Sequence, residues 1–179
     1  MKKFLAVVGV LLVAAAVVYF LFPELLARVG LGGSGLERRS VPEMRCSIAL
    51  PGGWKSETRS VGTPALLAED PAKGERASLT MIRLRTGEDA AAFEKRFMAD
   101  ETKRREGYGE GARGPARLGG REAVRTVFSF ESQKVRRKAV QFVAARDEYA
   151  YILCCDAAEA RFDDALGRFE VIAGSLKFE

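Results

Sequence analysis

Hydrophobic and polar positions alternate through much of the second half of this chain. From Lys138 to Arg146, Val140, Phe142 and Ala144 share one face, with Ala139, Gln141, Val143 and Ala145 opposite. Tyr149 to Cys155 is almost wholly apolar, which predicts a strand covered on both faces. Phe162, Leu166 and Phe169 then fall at helical spacing, with Asp156 as the expected N-cap and Glu159 three residues on. Gly174 is the expected helix end, and Ser175 to Phe178 should run a short way over the sheet. A helix with that stripe must lie on a sheet, and the preceding hairpin is the nearest one.

Upstream, Met44, Cys46, Ile48 and Leu50 alternate with Arg45, Ser47 and Ala49, a half-buried strand ended by Pro51-Gly52-Gly53. Pro64–Asp70 and Ala77–Arg85 are further strands; the latter puts Leu79 and Met81 opposite Thr80, Ile82 and Leu84. Thr86, with Asp89 three residues later, opens a helix running to about Glu106, with Ala90, Phe93 and Phe97 as its apolar edge. Tyr108–Gly114 is glycine-rich and is expected to be a connecting loop; it lacks the Gly-Lys-Ser/Thr ending of a phosphate cradle. Gly119-Gly120 signals a hairpin into a long strand, Arg121–Glu131, with Val124, Thr126, Phe128 and Phe130 on one face. The pattern predicts an α+β fold, an antiparallel sheet with flanking helices.

At the N-terminus, Lys2 and Lys3 precede an uncharged apolar run, Phe4 to Phe22. That run is long enough to cross a bilayer. A signal peptide cleaved near Ala14-Ala15-Ala16 is one reading. The run continues past those alanines, which favours an uncleaved signal anchor, a transmembrane helix over residues 1–22. Residues 23–40 are expected to be a linker, with the folded domain over 41–179. The short N-terminal tail is the easier end to leave in the cytoplasm. The expectation is a single span in the inner (cytoplasmic) membrane, with the domain periplasmic.

Charge changes little. The net +5 includes +3 before Val41, so the domain is nearly balanced and nucleic acid is not an expected partner. The chain has no histidine, which removes the commonest general base and metal ligand. No clustered carboxylates or thiolates replace it. No catalytic, cofactor or metal site is expected, and the protein is not expected to be an enzyme.

Three sets of residues remain as candidates. Cys46 can bridge to Cys154 or Cys155 if their strands are neighbours; those two point to opposite faces, so one at most faces Cys46. The alternative is three small buried thiols. Trp54 either plugs the core at the turn or stacks on a ligand. The clusters Lys103-Arg104-Arg105 and Arg136-Arg137-Lys138 are either solvated charge or contacts to anionic headgroups or an acidic partner.

Ser47-Ile48-Ala49-Leu50-Pro51-Gly52-Gly53-Trp54, the Gly119-Gly120 hairpin with Arg121-Glu122-Ala123, Tyr149–Leu153 and Phe169–Phe178 carry a resemblance. From about Val41 to its end the chain resembles the superfamily of PsbP-like and DcrB-like domains. The resemblance implies an α/β/α sandwich and non-enzymatic roles: extrinsic subunits, periplasmic lipoproteins and chaperone-like modules. This chain differs in having a plain apolar span where the lipoproteins carry a lipidated cysteine. The resulting expectation is a membrane-anchored accessory domain that binds another protein. The alternative is a small-ligand or lipid binder with a cleft near Trp54.

Overall fold

The structure, a computed structural model, describes residues 35–179. The expected transmembrane helix over 1–22 and most of the expected linker lie outside the described residues. No helix among the described residues is long and apolar enough to cross a membrane.

Among the described residues, ten strands form two antiparallel sheets, accompanied by two α-helices. In chain order the strands are β1 Leu36–Val41, β2 Cys46–Pro51, β3 Lys55–Arg59, β4 Ala65–Glu69 and β5 Arg76–Arg83. Helix α1, Ala90–Arg104, leads to β6 Gly109–Leu118, β7 Arg121–Ser132, β8 Val135–Arg146 and β9 Tyr149–Ala158. Helix α2, Phe162–Ser175, and β10 Lys177–Phe178 close the fold. The large sheet has the order β3-β4-β5-β9-β8-β7-β6, and the small one β1-β2-β10.

The large sheet separates two apolar layers. Even positions of β8 (Val140, Phe142, Ala144) and odd positions of β9 (Tyr151, Leu153, Cys155) face α2 and β2, with Phe162, Phe169 and Ile172. Opposite positions face α1: Val143 and Ile152 pack with Phe93, while Ala139, Phe128 and Phe130 pack with Met98. The two-residue period of β8 and β9 thus assigns each side chain to one layer, as expected for a strand covered twice.

Several expectations change. The fold begins at Leu36, inside the segment expected as linker, because β1 pairs with β2 along its whole length. Leu36–Ser40 remain exposed, so no apolar alternation marks the strand. β2 is buried on both faces, not one. Ser175 Oγ accepts from the Ala49 N–H at 2.9 Å, and Arg38 Nη1 donates to Ser47 Oγ at 3.1 Å, covering the polar side. Tyr108–Gly114 supplies the start of edge strand β6 rather than a loop; its register shifts between Glu110 and Arg113, and backbone pairing with β7 holds it. β3, Lys-Ser-Glu-Thr-Arg, is wholly exposed and carries no apolar signal.

Both caps move. Asp89, not Thr86, caps α1, its Oδ1 accepting from the Ala92 N–H at 2.8 Å. Asp156 is not a cap at all. It lies within β9, where Arg137 engages its carboxylate, and the strand continues to Ala158. Helix α2 starts at Phe162 after a 3-10 turn, Glu159–Arg161, with no side-chain cap, and runs through Gly174 to Ser175.

Candidate functional site

Helix α1 packs on β7 and β8, and among the described residues nothing covers the same sheet face over β3, β4 and the start of β5. Alternation decides what that bare face displays. Leu66 and Ala68 point into the α2-side core, so Leu67 and Glu69 point outward. Register then places Glu57 opposite Leu67, Lys55 opposite Glu69, and Arg76 opposite Asp156.

The result is an open groove of about 530 Å³ lined by Lys55, Glu57, Leu67, Glu69, Arg76, Ser78 and Asp156. Its charges alternate. Arg59 pairs with Glu57 at 2.7 Å, and Arg76 with Glu69 at 3.4 Å. Lys55 is exposed beside them. At the inner wall, burial pushes the Asp156 carboxyl up, against the pull of the Arg137 guanidinium that engages it. Arg137 also donates to Gly74 O at 2.7 Å. β3 ends the strand order, so among the described residues its outer backbone edge has no strand partner. A polar edge, an apolar floor at Leu67 and alternating charges suit an extended protein segment. Among the described residues no group of three or more His, Cys, Asp and Glu could hold a metal.

The sequence-predicted residues lie elsewhere or act inwardly. Cys46 and Cys155 enter the α2-side core, whereas Cys154 faces the α1 layer. All three are free. Burial raises Cys46 to about 11 and Cys154 to about 12, and drives Cys155 well above its ordinary value, so all are protonated thiols at neutral pH. Trp54 is 7% exposed and packed in the α2-side core. Arg136 donates to Gly107 O and to Ser129 Oγ, the latter at 2.7 Å. Arg137 is buried beside the groove. Lys138 sits over the Phe162 ring and 3.7 Å from Asp163.

Sequence reading missed two buried acids. Glu94, 1% exposed under α1, accepts from Thr126 Oγ1 at 2.5 Å and Arg113 Nε at 2.9 Å. Its signal was a glutamate inside the stripe of Ala90, Phe93 and Phe97. Glu75 accepts from Arg168 Nε at 3.1 Å; its partner lies 93 residues away, and nothing local announces it.

Among solved structures, the cyanobacterial PsbP (CyanoP) of Synechocystis matches with a TM-score of 0.63 at 17% identity, covering 84% of this chain and 96% of that one. The fold is PsbP-like. LpqN of Mycobacterium tuberculosis, involved in cell envelope biogenesis, matches at 0.54 and 16% identity over 82% of this chain and 86% of its own. The Saccharomyces cerevisiae Ran-binding protein Mog1p matches at 0.60 and 7% identity over 81% and 96%. No family model and no curated protein sequence matches the chain. In this PsbP-like domain the groove lies on the sheet face that carries α1, on the strands α1 leaves uncovered.

Proposed function

We propose that this protein is a non-catalytic accessory module that docks a segment of another protein on the bare face and free edge of β3–β5. In this reading Phe4–Phe22 is an uncleaved anchor, and the domain stands outside the cytoplasm at the membrane surface. The carrying observation is the incomplete cover of the large sheet. A sheet face with an apolar floor and an unpaired edge is a ready template for an added strand. Two structural neighbours give context: Mog1p is a Ran-binding protein, and LpqN is involved in cell envelope biogenesis.

The partner segment is extended and carries charges of both signs, to oppose Lys55, Glu57 and Arg59 along β3. Photo-crosslinking side chains placed at Glu57 and at Glu69 of the full chain in its native cell test this, with Glu170 on α2 as control. The expected result is one discrete adduct from both groove positions, absent from the control and lost with Lys55→Glu/Arg59→Glu. Equal adducts at all three positions would sink the reading.

A further inference from the structure

Among the described residues the large sheet has two outer edges, and they are built differently. β6 shifts register between Glu110 and Arg113 and contains Pro115, which has no N–H to donate. A bulge and a proline both obstruct an added strand. β3, at the other edge, has neither. Lys55–Arg59 pairs with β4 through five consecutive partners without a shift, and all five residues are exposed. The edges of the small sheet differ again. β10 has only two residues. β1 lies on the uncharged Ser47–Leu50 stretch of β2, and its Arg38 folds inward to Ser47 Oγ and Ser175 O, each at 3.1 Å.

Charge is the guard that β3 carries, and its order is specific. Register sets Lys55, Glu69, Arg76 and Asp156 in one row across β3, β4, β5 and β9 on the groove face. The row alternates positive, negative, positive, negative, and Arg76 reaches Glu69 at 3.4 Å within it. Opposite charges facing each other across strands attract, and like charges repel. The row ends in a cation, Lys55, at the free edge. Glu57 and Arg59 follow it on the same face, so the edge reads positive, negative, positive. Those two pair with each other along the strand, but both are well exposed, where such a pair is weak and readily exchanged.

A second copy of this chain is the poorer occupant of that edge. Centred antiparallel on Glu57, it sets Lys55 against Arg59 and Glu57 against Glu57. Sliding it by two residues leaves two opposed pairs of a possible three and brings Gly53 or Val61, outside β3, into the pairing. The charges that admit a complementary strand therefore keep copies of this chain apart.

Resting on the docking reading above, we propose that the partner's segment joins the large sheet as an eighth strand beside β3, with the pattern acidic-x-basic-x-acidic opposite Lys55, Glu57 and Arg59. Backbone hydrogen bonds hold the strand, and the continued charge row selects it. Each opposed pair adds up to about five-fold in affinity, and each like pair costs as much.

The test uses the full chain in detergent with two fluorescent threonine-rich peptides, one carrying acidic-x-basic-x-acidic and one its sign reversal. Affinity is read by fluorescence anisotropy, and the edge by amide hydrogen exchange over residues 55–59. The matched peptide is expected to bind about tenfold or more tightly than the reversed one and to protect alternate β3 amides. N-methylation of its alternate amides should abolish binding in one phase and spare it in the other. In Lys55→Glu/Glu57→Lys/Arg59→Glu, whose side chains are exposed, the preference between the peptides should invert. Equal affinities, or no binding by either at millimolar peptide, overturn the proposal. Adducts that persist at Glu57 and Glu69 in the cell then leave the docking reading standing, and their absence removes both. Binding that leaves the β3 amides unprotected puts the ligand on the face and overturns the edge. Self-association of the chain that protects the same amides makes a second copy the occupant and overturns it too.

Discussion

Arg137 sits at the boundary between the α1-side core and the groove. It is 6% exposed and engages a largely buried carboxylate, Asp156. Removing one partner of such a pair leaves the other charged in a poor solvent, which costs about 3–5 kcal/mol. Arg137→Ala is therefore expected to destabilise the domain by about that much in denaturant unfolding. The double variant Arg137→Met/Asp156→Leu should lose distinctly less, because neither charge is then stranded. Equal losses would mean that the Gly74 contact, not the charge pair, matters at this position.

At the scale of the element, α1 is held at its start by polar contacts and along its length by aromatic ones. Asp89 caps the helix, and Glu88 accepts from Arg96 Nε at 2.8 Å and from the Arg85 N–H at 3.0 Å. The hydrogen bond from Arg96, then that from the Arg85 backbone, depress the Glu88 carboxyl from 4.5 to about 2. A depressed carboxyl stabilises the fold above its unfolded value, and that contribution is lost as pH falls towards the folded one. The start of α1 should therefore loosen between about pH 4.5 and pH 2, with the Glu88 carboxyl titrating near 2 by NMR. In Arg96→Gln the midpoint is expected to move up towards 4.5; an unmoved midpoint would contradict the assignment.

Across the whole molecule, the hairpin between β6 and β7 is clamped to the end of α2. The Gly119 N–H donates to Ala173 O at 3.0 Å. A Cβ at Gly119 would come within 2.6 Å of Leu176 O, whereas one at Gly120 meets nothing within 4 Å. Both residues have positive φ, 58° and 79°, so alanine strains the backbone at either. The difference isolates the clash: Gly119→Ala is expected to lower thermal stability well beyond Gly120→Ala. Equal shifts would show that α2 and β10 yield without cost.

What could be read from sequence was whatever a local period carries. The faces of β5, β7, β8 and β9, the apolar stripe of both helices and the Gly119-Gly120 turn all follow from spacing two or 3.6, because alternation and helical pitch act within a few residues. Partners distant in the chain were beyond it. Edge strands β1 and β3, and the first half of β6, are held by backbone hydrogen bonds, which leave no side-chain pattern to find, whereas Pro115–Leu118 could be read as an edge strand. Asp156 has the local signature of a cap, yet pairing with Arg76 of β5 and Ala139 of β8 makes it a strand residue, and Arg137, 19 residues away, engages its carboxylate. The groove is decided at the same level. Its residues come from β3, β4, β5 and β9, and it exists because α1 lies over β7 and β8 instead. Sequence set which side chains face outward; tertiary packing decided which of those faces stayed bare.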